Sequence, residues 1–151
     1  MKPLKEKIII GRREYVNFPE LGIYKIIAKI DTGAYTTALH CHDIEVKKIN
    51  EIPTLCFKLL DPSHPEYTQQ QHQFNVFQIK EIKNSFGSFE TRFIIKTKIK
   101  LGKKTIKSSI SLTDRGNMRY PVLLGRKLLK NRFIVDVAAI NMCDKTNTSL
   151  H

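Results

Sequence analysis

From Phe93 to Leu101 the chain alternates with a period of two. Phe93, Ile95, Thr97, Ile99 and Leu101 fall on one face, and Ile94, Lys96, Lys98 and Lys100 fall on the other. Successive side chains of an extended strand point to opposite sides, so this pattern specifies a half-buried strand. Gly102-Lys103-Lys104 turns the chain, and Ile106, Ile110 and Leu112 alternate with Thr105, Lys107, Ser109 and Ser111 on the way back. The product is a β-hairpin whose outer face carries a cluster of lysines. No stretch has the 3.6-residue period of a long amphipathic helix, so the fold that holds this hairpin is mainly β.

The remaining segments are short and strand-like. Ile8-Ile9-Ile10 reads as a first strand, and Pro19 with Gly22 breaks the chain before an apolar run from Tyr24 to Ile30. Leu39 to Ile49 fits a half-buried strand with one irregularity, and Leu55 to Leu60 fits another. Asp61 to Gln73 reads as a polar loop or hairpin tip. Phe74 to Ile82 reads as a strand with a bulge between Val76 and Phe77. Asn84-Ser85-Phe86-Gly87-Ser88 is a hairpin turn, and Thr113 to Pro121 is a polar loop. Val122-Leu123-Leu124 is apolar, Gly125 ends it, and Arg126 to Asn131 suits one or two turns of helix. Phe133 to Ile140 reads as the last strand. One domain is expected over residues 1–140, with a polar C-terminal tail over residues 141–151.

A chain of 151 residues can bury a real core but is too short for two catalytic lobes. Hydrophobic residues at 41% and charged residues at 26% describe a soluble globular protein rather than a disordered one. No apolar run is long enough to span a membrane, and Ile8-Ile9-Ile10 is too short for a signal-peptide core, so a cytoplasmic location is expected. Cys41, Cys56 and Cys143 are odd in number and form no Cys-x-x-Cys pair, which predicts reduced thiols. The formal net charge of +12 favours an acidic partner: nucleic acid, an anionic peptide or an acidic surface.

The reactive feature is Lys29-Ile30-Asp31-Thr32-Gly33-Ala34. A carboxylate at the mouth of an apolar strand, followed by a hydroxyl and a glycine that lets backbone approach closely, is a poor way to fill a core. It is a good way to hold a reactive acid.

That turn, joined to the later Val122-Leu123-Leu124-Gly125-Arg126-x-Leu128-Leu129, resembles the two signatures of retropepsin-like aspartic peptidases. The hairpin from Phe93 to Leu112 resembles the long hairpin that precedes the second signature in retroviral proteases. A closer likeness is to a bacterial family with this fold, labelled ATP-dependent zinc proteases and associated with RimK-type ATP-grasp ligases. Gly11-Arg12-Arg13-Glu14, the Asp31 segment with Thr37-Ala38-Leu39-His40, Ser85-x-Gly87-x-x-Glu90-x-Arg92 and Arg115-x-x-Met118-x-x-Pro121 look like its successive motifs. The resemblance implies a retropepsin-like closed β-barrel with one short helix after Leu-Leu-Gly-Arg, and a water activated between two carboxylates. The chain has one Asp-Thr-Gly, so a homodimer would have to bring Asp31 and its symmetry mate together.

By the same resemblance Thr32 links the two turns, Gly33 holds the carboxylate, Ala34 completes the turn, and Leu123, Leu124, Gly125 and Arg126 support it from below. Ser85, Phe86 and Gly87 are flap candidates, with the Asp61 to Gln73 loop as the alternative. Arg92, Arg115 and Arg126 are candidate carboxylate binders, since a guanidinium pairs with a carboxylate through two bonds. They suit a peptide substrate, glutamate-rich or otherwise acidic. Retroviral members carry an acid four residues after the catalytic Asp; here that position is Tyr35, which leaves the partner of Arg126 open. No cofactor and no membrane partner are expected. Two other readings stand beside the peptidase: a zinc-dependent peptidase using His40 and His42, which lacks a third ligand, and a non-catalytic basic module binding nucleic acid through the lysines of the Lys96 to Lys107 hairpin.

Overall fold

The computed structural model describes residues 6–83, 86–114 and 119–143. The long hairpin is present as β8 (Phe89–Leu101) and β9 (Lys104–Thr113), paired from Phe93↔Leu112 to Leu101↔Lys104. Its apolar face is the core face: Ile95, Ile99, Leu101 and Ile110 are fully buried, while Lys96, Lys98 and Lys100 are exposed. Each such Ile or Leu removed from water contributes about 2 kcal/mol.

Four further strands close a barrel around that hairpin. β2 (Arg13–Phe18) and β3 (Ile23–Ile30) form an antiparallel pair joined by a 3-10 turn at Pro19–Leu21. β4 (Thr37–Ile49) lies parallel to β9, and the short β10 (Val122–Leu124) sits between β3 and β4. β2 meets β8 at Asn17↔Lys100. The order β10-β3-β2-β8-β9-β4 therefore returns to β10, and the ring of six strands has no open edge. A short helix, α1 (Arg126–Leu129), follows β10 and turns Leu128 and Leu129 into the core. This is the mainly β retropepsin-like barrel with its short helix after Leu-Leu-Gly-Arg.

The outer elements depart from the sequence expectations in three places. β4 bends at a bulge between His42 and Glu45, then pairs with β5 (Ile52–Leu59) and through it with β6 (Gln71–Phe74). The strand expected from Phe74 to Ile82 is thus two strands. β6 ends at Phe74, where the neighbouring Asn75 takes a hydrogen bond from Thr54 Oγ1 at 3.1 Å, and β7 (Gln78–Lys83) restarts on β8. Second, β11 (Phe133–Val135), which pairs with β1 (Ile8–Ile10), stops short of Ile140. Asp136 Oδ1 accepts from Ala138 N–H at 3.0 Å and its carbonyl accepts from Ala139, so the acid folds the backbone into a turn. Third, the beginning of the expected polar tail is tied down, because Met142 and Cys143 donate backbone N–H groups to buried Glu14; the rest of that tail lies outside the described residues. No helix among the described residues is long and apolar enough to cross a membrane.

Candidate active site

β3 delivers Asp31 to the top of the barrel through two anchors. Ile30 N–H donates to the Arg12 carbonyl at 2.9 Å, and Asp31 N–H donates to the Leu124 carbonyl at 2.9 Å. The second bond extends the parallel register Lys29↔Leu123 and Ile30↔Leu124, so the acid is placed by the strand that also carries its support. Past that point the chain turns on the acid itself. Gly33 N–H donates to Asp31 Oδ1 at 3.1 Å, and Ala34 N–H donates to the Asp31 carbonyl at 3.2 Å. Asp31 is half-buried, Thr32 and Gly33 are exposed, and among the described residues Gly33 is the carboxylate's one hydrogen-bond donor.

The segment after β10 clamps the far side of the same turn. Arg126 N–H donates to the Ala34 carbonyl at 2.8 Å and Lys127 N–H to the Tyr35 carbonyl at 3.0 Å. Gly125 N–H donates to Thr37 Oγ1 at 3.1 Å, and Arg126 Nη1 donates to the Thr32 carbonyl at 2.9 Å. The partner of Arg126 is therefore backbone plus an aromatic face: its guanidinium also lies 5.8 Å from the centre of the Tyr35 ring. An acid at position 35 is not needed to hold this arginine.

Gly125 is the point of closest approach. A Cβ there would stand 2.6 Å from the Tyr35 carbonyl oxygen and 2.7 Å from the Thr36 carbonyl carbon, both of them backbone. Gly125→Ala has to push the Asp31 turn away from β10, an overpacking cost of about 2 kcal/mol. Chemical denaturation should register that loss, and the displaced turn should lower activity along with it. Wild-type stability for the variant would mean the clamp is looser than these contacts require.

The structure brings Asp31, Thr32, Gly33 and Ala34 together with Leu123, Leu124, Gly125 and Arg126. Phe86 and Gly87 sit at the end of the β7–β8 hairpin; Ser85 and Arg115 lie outside the described residues. Every residue of β7 is exposed, and Phe86 is 93% exposed. The alternative flap, the loop from Asp61, is instead laid against the barrel: Asp61 stands 3.9 Å from His40, and Tyr67 reaches His42. Arg92 sits on β8 with Nη2 3.4 Å from Glu90, so its charge is shared locally.

His40 and His42 do not converge as metal ligands. His42 Nδ1 meets the Leu60 carbonyl at 2.7 Å and its Nε2 meets the Tyr67 hydroxyl at 3.4 Å, which engages both ring nitrogens. Among the described residues no three His, Cys, Asp or Glu side chains gather at one point. No disulfide joins the three cysteines, and all three are buried. Burial, with Asp114 adding to it, pushes the Cys41 thiol well above its ordinary range, which makes it a poor nucleophile.

Residues that the sequence analysis named without giving them a role in holding the turn complete the cluster. Thr37 and Tyr35 hold Gly125 and Arg126, and the Arg12 carbonyl anchors the strand end. Thr37 was discernible as part of the motif around the Asp, whereas the Tyr35–Arg126 contact joins residues far apart in the chain and left no local signal.

A family model described as RimB-like, retropepsin-like aspartic endopeptidase RimB, matches residues 9–146. The chain is 37% identical over 132 residues to a protein named probable alpha-L-glutamate ligase from Desulfotalea psychrophila, and 34% identical over 130 residues to one of the same name from Shewanella halifaxensis. These matches cover 87% and 86% of this chain but 28% of each relative, so the chain spans less than a third of the length of those curated relatives. The crystal structure of a protein of unknown function from Legionella pneumophila is similar with a TM-score of 0.69 and 26% identity, covering 91% of this chain and 99% of that one.

Proposed function

Because the chain belongs to the RimB-like family of retropepsin-like aspartic endopeptidases, we propose that it is an aspartic-type peptidase that works as a homodimer. The observation that carries this reading is the braced Asp31 turn, with one carboxylate oxygen held by Gly33 and the turn residues Thr32 and Gly33 left exposed. The chain has one such turn, and the chemistry needs two. Across a two-fold axis Asp31 of each subunit faces the other, with Thr32 linking the turns. Two carboxylates this close share one proton and titrate as a unit. The ionised one takes a proton from water as its oxygen attacks the scissile carbonyl carbon, and the protonated one donates to the carbonyl oxygen. The exposed β7–β8 hairpin, tipped by Phe86 and Gly87, closes over the substrate as the flap.

The proposed substrate is an acidic, glutamate-rich peptide. The net charge of +12 supports this, as does the similarity of the chain to part of proteins named probable alpha-L-glutamate ligases. Buried cysteines that form no disulfide suit the proposed cytoplasmic setting. Sedimentation and hydrolysis measured over one dilution series test the dimer. Activity per chain should fall in step with the species of twice the 17.5 kDa chain mass. Full activity from a strict monomer would sink the proposal.

A further inference from the structure

The outer face of β2 and β3 alternates with the core. Glu14, Val16 and Phe18 are buried, while Arg13, Tyr15 and Asn17 point outward and are half-buried. Arg13 pairs with Lys29, which lies two residues before Asp31, and Asn17 pairs with Lys100 on β8. Two grooves run along this face. One, of about 570 Å3, is lined by Lys100, Lys103, Asn17, Tyr15 and Lys25; the other, of about 520 Å3, by Tyr15, Lys25, Arg13, Arg119 and Tyr120. They share Tyr15 and Lys25, so they form one channel from the β8–β9 turn to the strand that carries the catalytic acid.

Among the described residues the charge along this channel has no ion-pair partner. Three basic side chains elsewhere have acids: Lys47 has Glu45 at 3.0 Å, Lys58 has Asp43 at 3.5 Å and Arg92 has Glu90 at 3.4 Å. Among the described residues no carboxylate forms an ion pair with Lys25, Lys100, Lys103, Arg13, Arg119 or Lys29. Among the described residues Glu66 is the one acid on the channel wall. Aromatic rings seat the cations instead: Lys25 lies 5.5 Å from the Tyr15 ring centre and Arg119 lies 5.6 Å from that of Tyr120. A hydrogen bond from Arg13, with the nearby cations, pulls the Tyr120 phenol below its ordinary range.

We infer that this channel is a docking track for the acidic chain of the substrate, leading an extended run of carboxylates from the β8–β9 turn to Asp31. The inference rests on the peptidase reading and names where the substrate outside the scissile bond is held. Dimensions favour a peptide. From Arg13 to Asn17 is roughly 13 Å of strand, with side chains of one face roughly 7 Å apart, the pitch of alternate side chains in a second extended chain. Single-stranded nucleic acid instead needs open aromatic faces for its bases, and the two rings here are already covered by cations.

Binding of a fluorescent oligoglutamate about eight residues long to the full-length Asp31→Asn protein tests the track without interference from hydrolysis. The triple variant Lys25→Gln, Lys100→Gln, Lys103→Gln should bind roughly tenfold more weakly, and the wild-type affinity should fall as salt is raised. The charge-matched variant Lys48→Gln, Lys98→Gln, Lys107→Gln, whose changes lie off the channel, should bind within about twofold of the parent. Equal weakening in the two triples, or an oligouridylate displacing the peptide from the channel, overturns the track. Hydrolysis by the wild type is read separately: its absence with binding intact removes the peptidase reading alone, and hydrolysis without channel-dependent binding removes the track alone.

Discussion

Asp31→Asn should abolish peptide hydrolysis, lowering the rate by roughly 10^4-fold or more, while leaving the fold and the dimer in place. In a homodimer one substitution removes both carboxylates, so neither a base toward water nor a shared proton remains. The fold is spared because Asn keeps the shape and an acceptor oxygen. The Gly33 N–H that donates to Oδ1 at 3.1 Å still has a partner, and the backbone anchors to Arg12 and Leu124 do not involve the side chain. The dimer should be at least as tight as the wild type, since replacing two facing acids with amides removes their mutual repulsion. Hydrolysis of the same acidic peptide by both proteins, with sedimentation and thermal unfolding alongside, gives the answer. Equal rates would place the chemistry elsewhere; loss of rate together with loss of folding would show only that Asn is not tolerated in the turn.

Much of this site could be read before any coordinates, and the reasons are local. The two-residue alternation of β8 and β9 specifies faces without reference to partners, and Gly102 falls where the turn requires it. The Asp31 and Gly125-Arg126 segments are short and contiguous, so each keeps its signature in sequence. What could not be read depends on contacts between distant residues. The gap between β6 and β7 leaves the apolar pattern almost unbroken, and only the bond from Thr54 to Asn75 marks where the chain changes edge. The end of β11 is set by the Asp136 side chain capturing the next backbone turn, a choice that a run of apolar residues conceals. The cationic channel is assembled from β2, β3, the β8–β9 turn and the segment before β10, and no stretch of sequence contains more than a part of it.

Glu14 shows how a distant residue can govern the same turn, and Glu14→Gln should destabilise the protein by about 2–3 kcal/mol. The residue is fully buried, and its carboxylate accepts three backbone N–H groups: Gly11 at 2.7 Å and Met142 at 2.9 Å on Oε2, and Cys143 at 3.1 Å on Oε1. A glutamine can keep the two bonds on one oxygen, but its NH2 then faces the Cys143 N–H, donor against donor. The variant loses one charge-assisted bond and the charge assistance of the other two. Glu14→Ala loses all three and opens a cavity, so it should cost more, about 4 kcal/mol. Gly11 cannot adapt by moving inward, because it already lies against the Ala139 backbone, where a Cβ would not fit. The order wild type, Gln, Ala in denaturation midpoint is the expected result, and a Gln variant as stable as the wild type would refute this account of the cluster. The loss should also reach the active site. Glu14 holds Gly11, the next residue's carbonyl anchors Ile30, and Ile30 leads directly into Asp31. A loosened Glu14 cluster therefore lowers activity at temperatures where the barrel is still folded, in proportion to the fraction of chains in which the turn has let go.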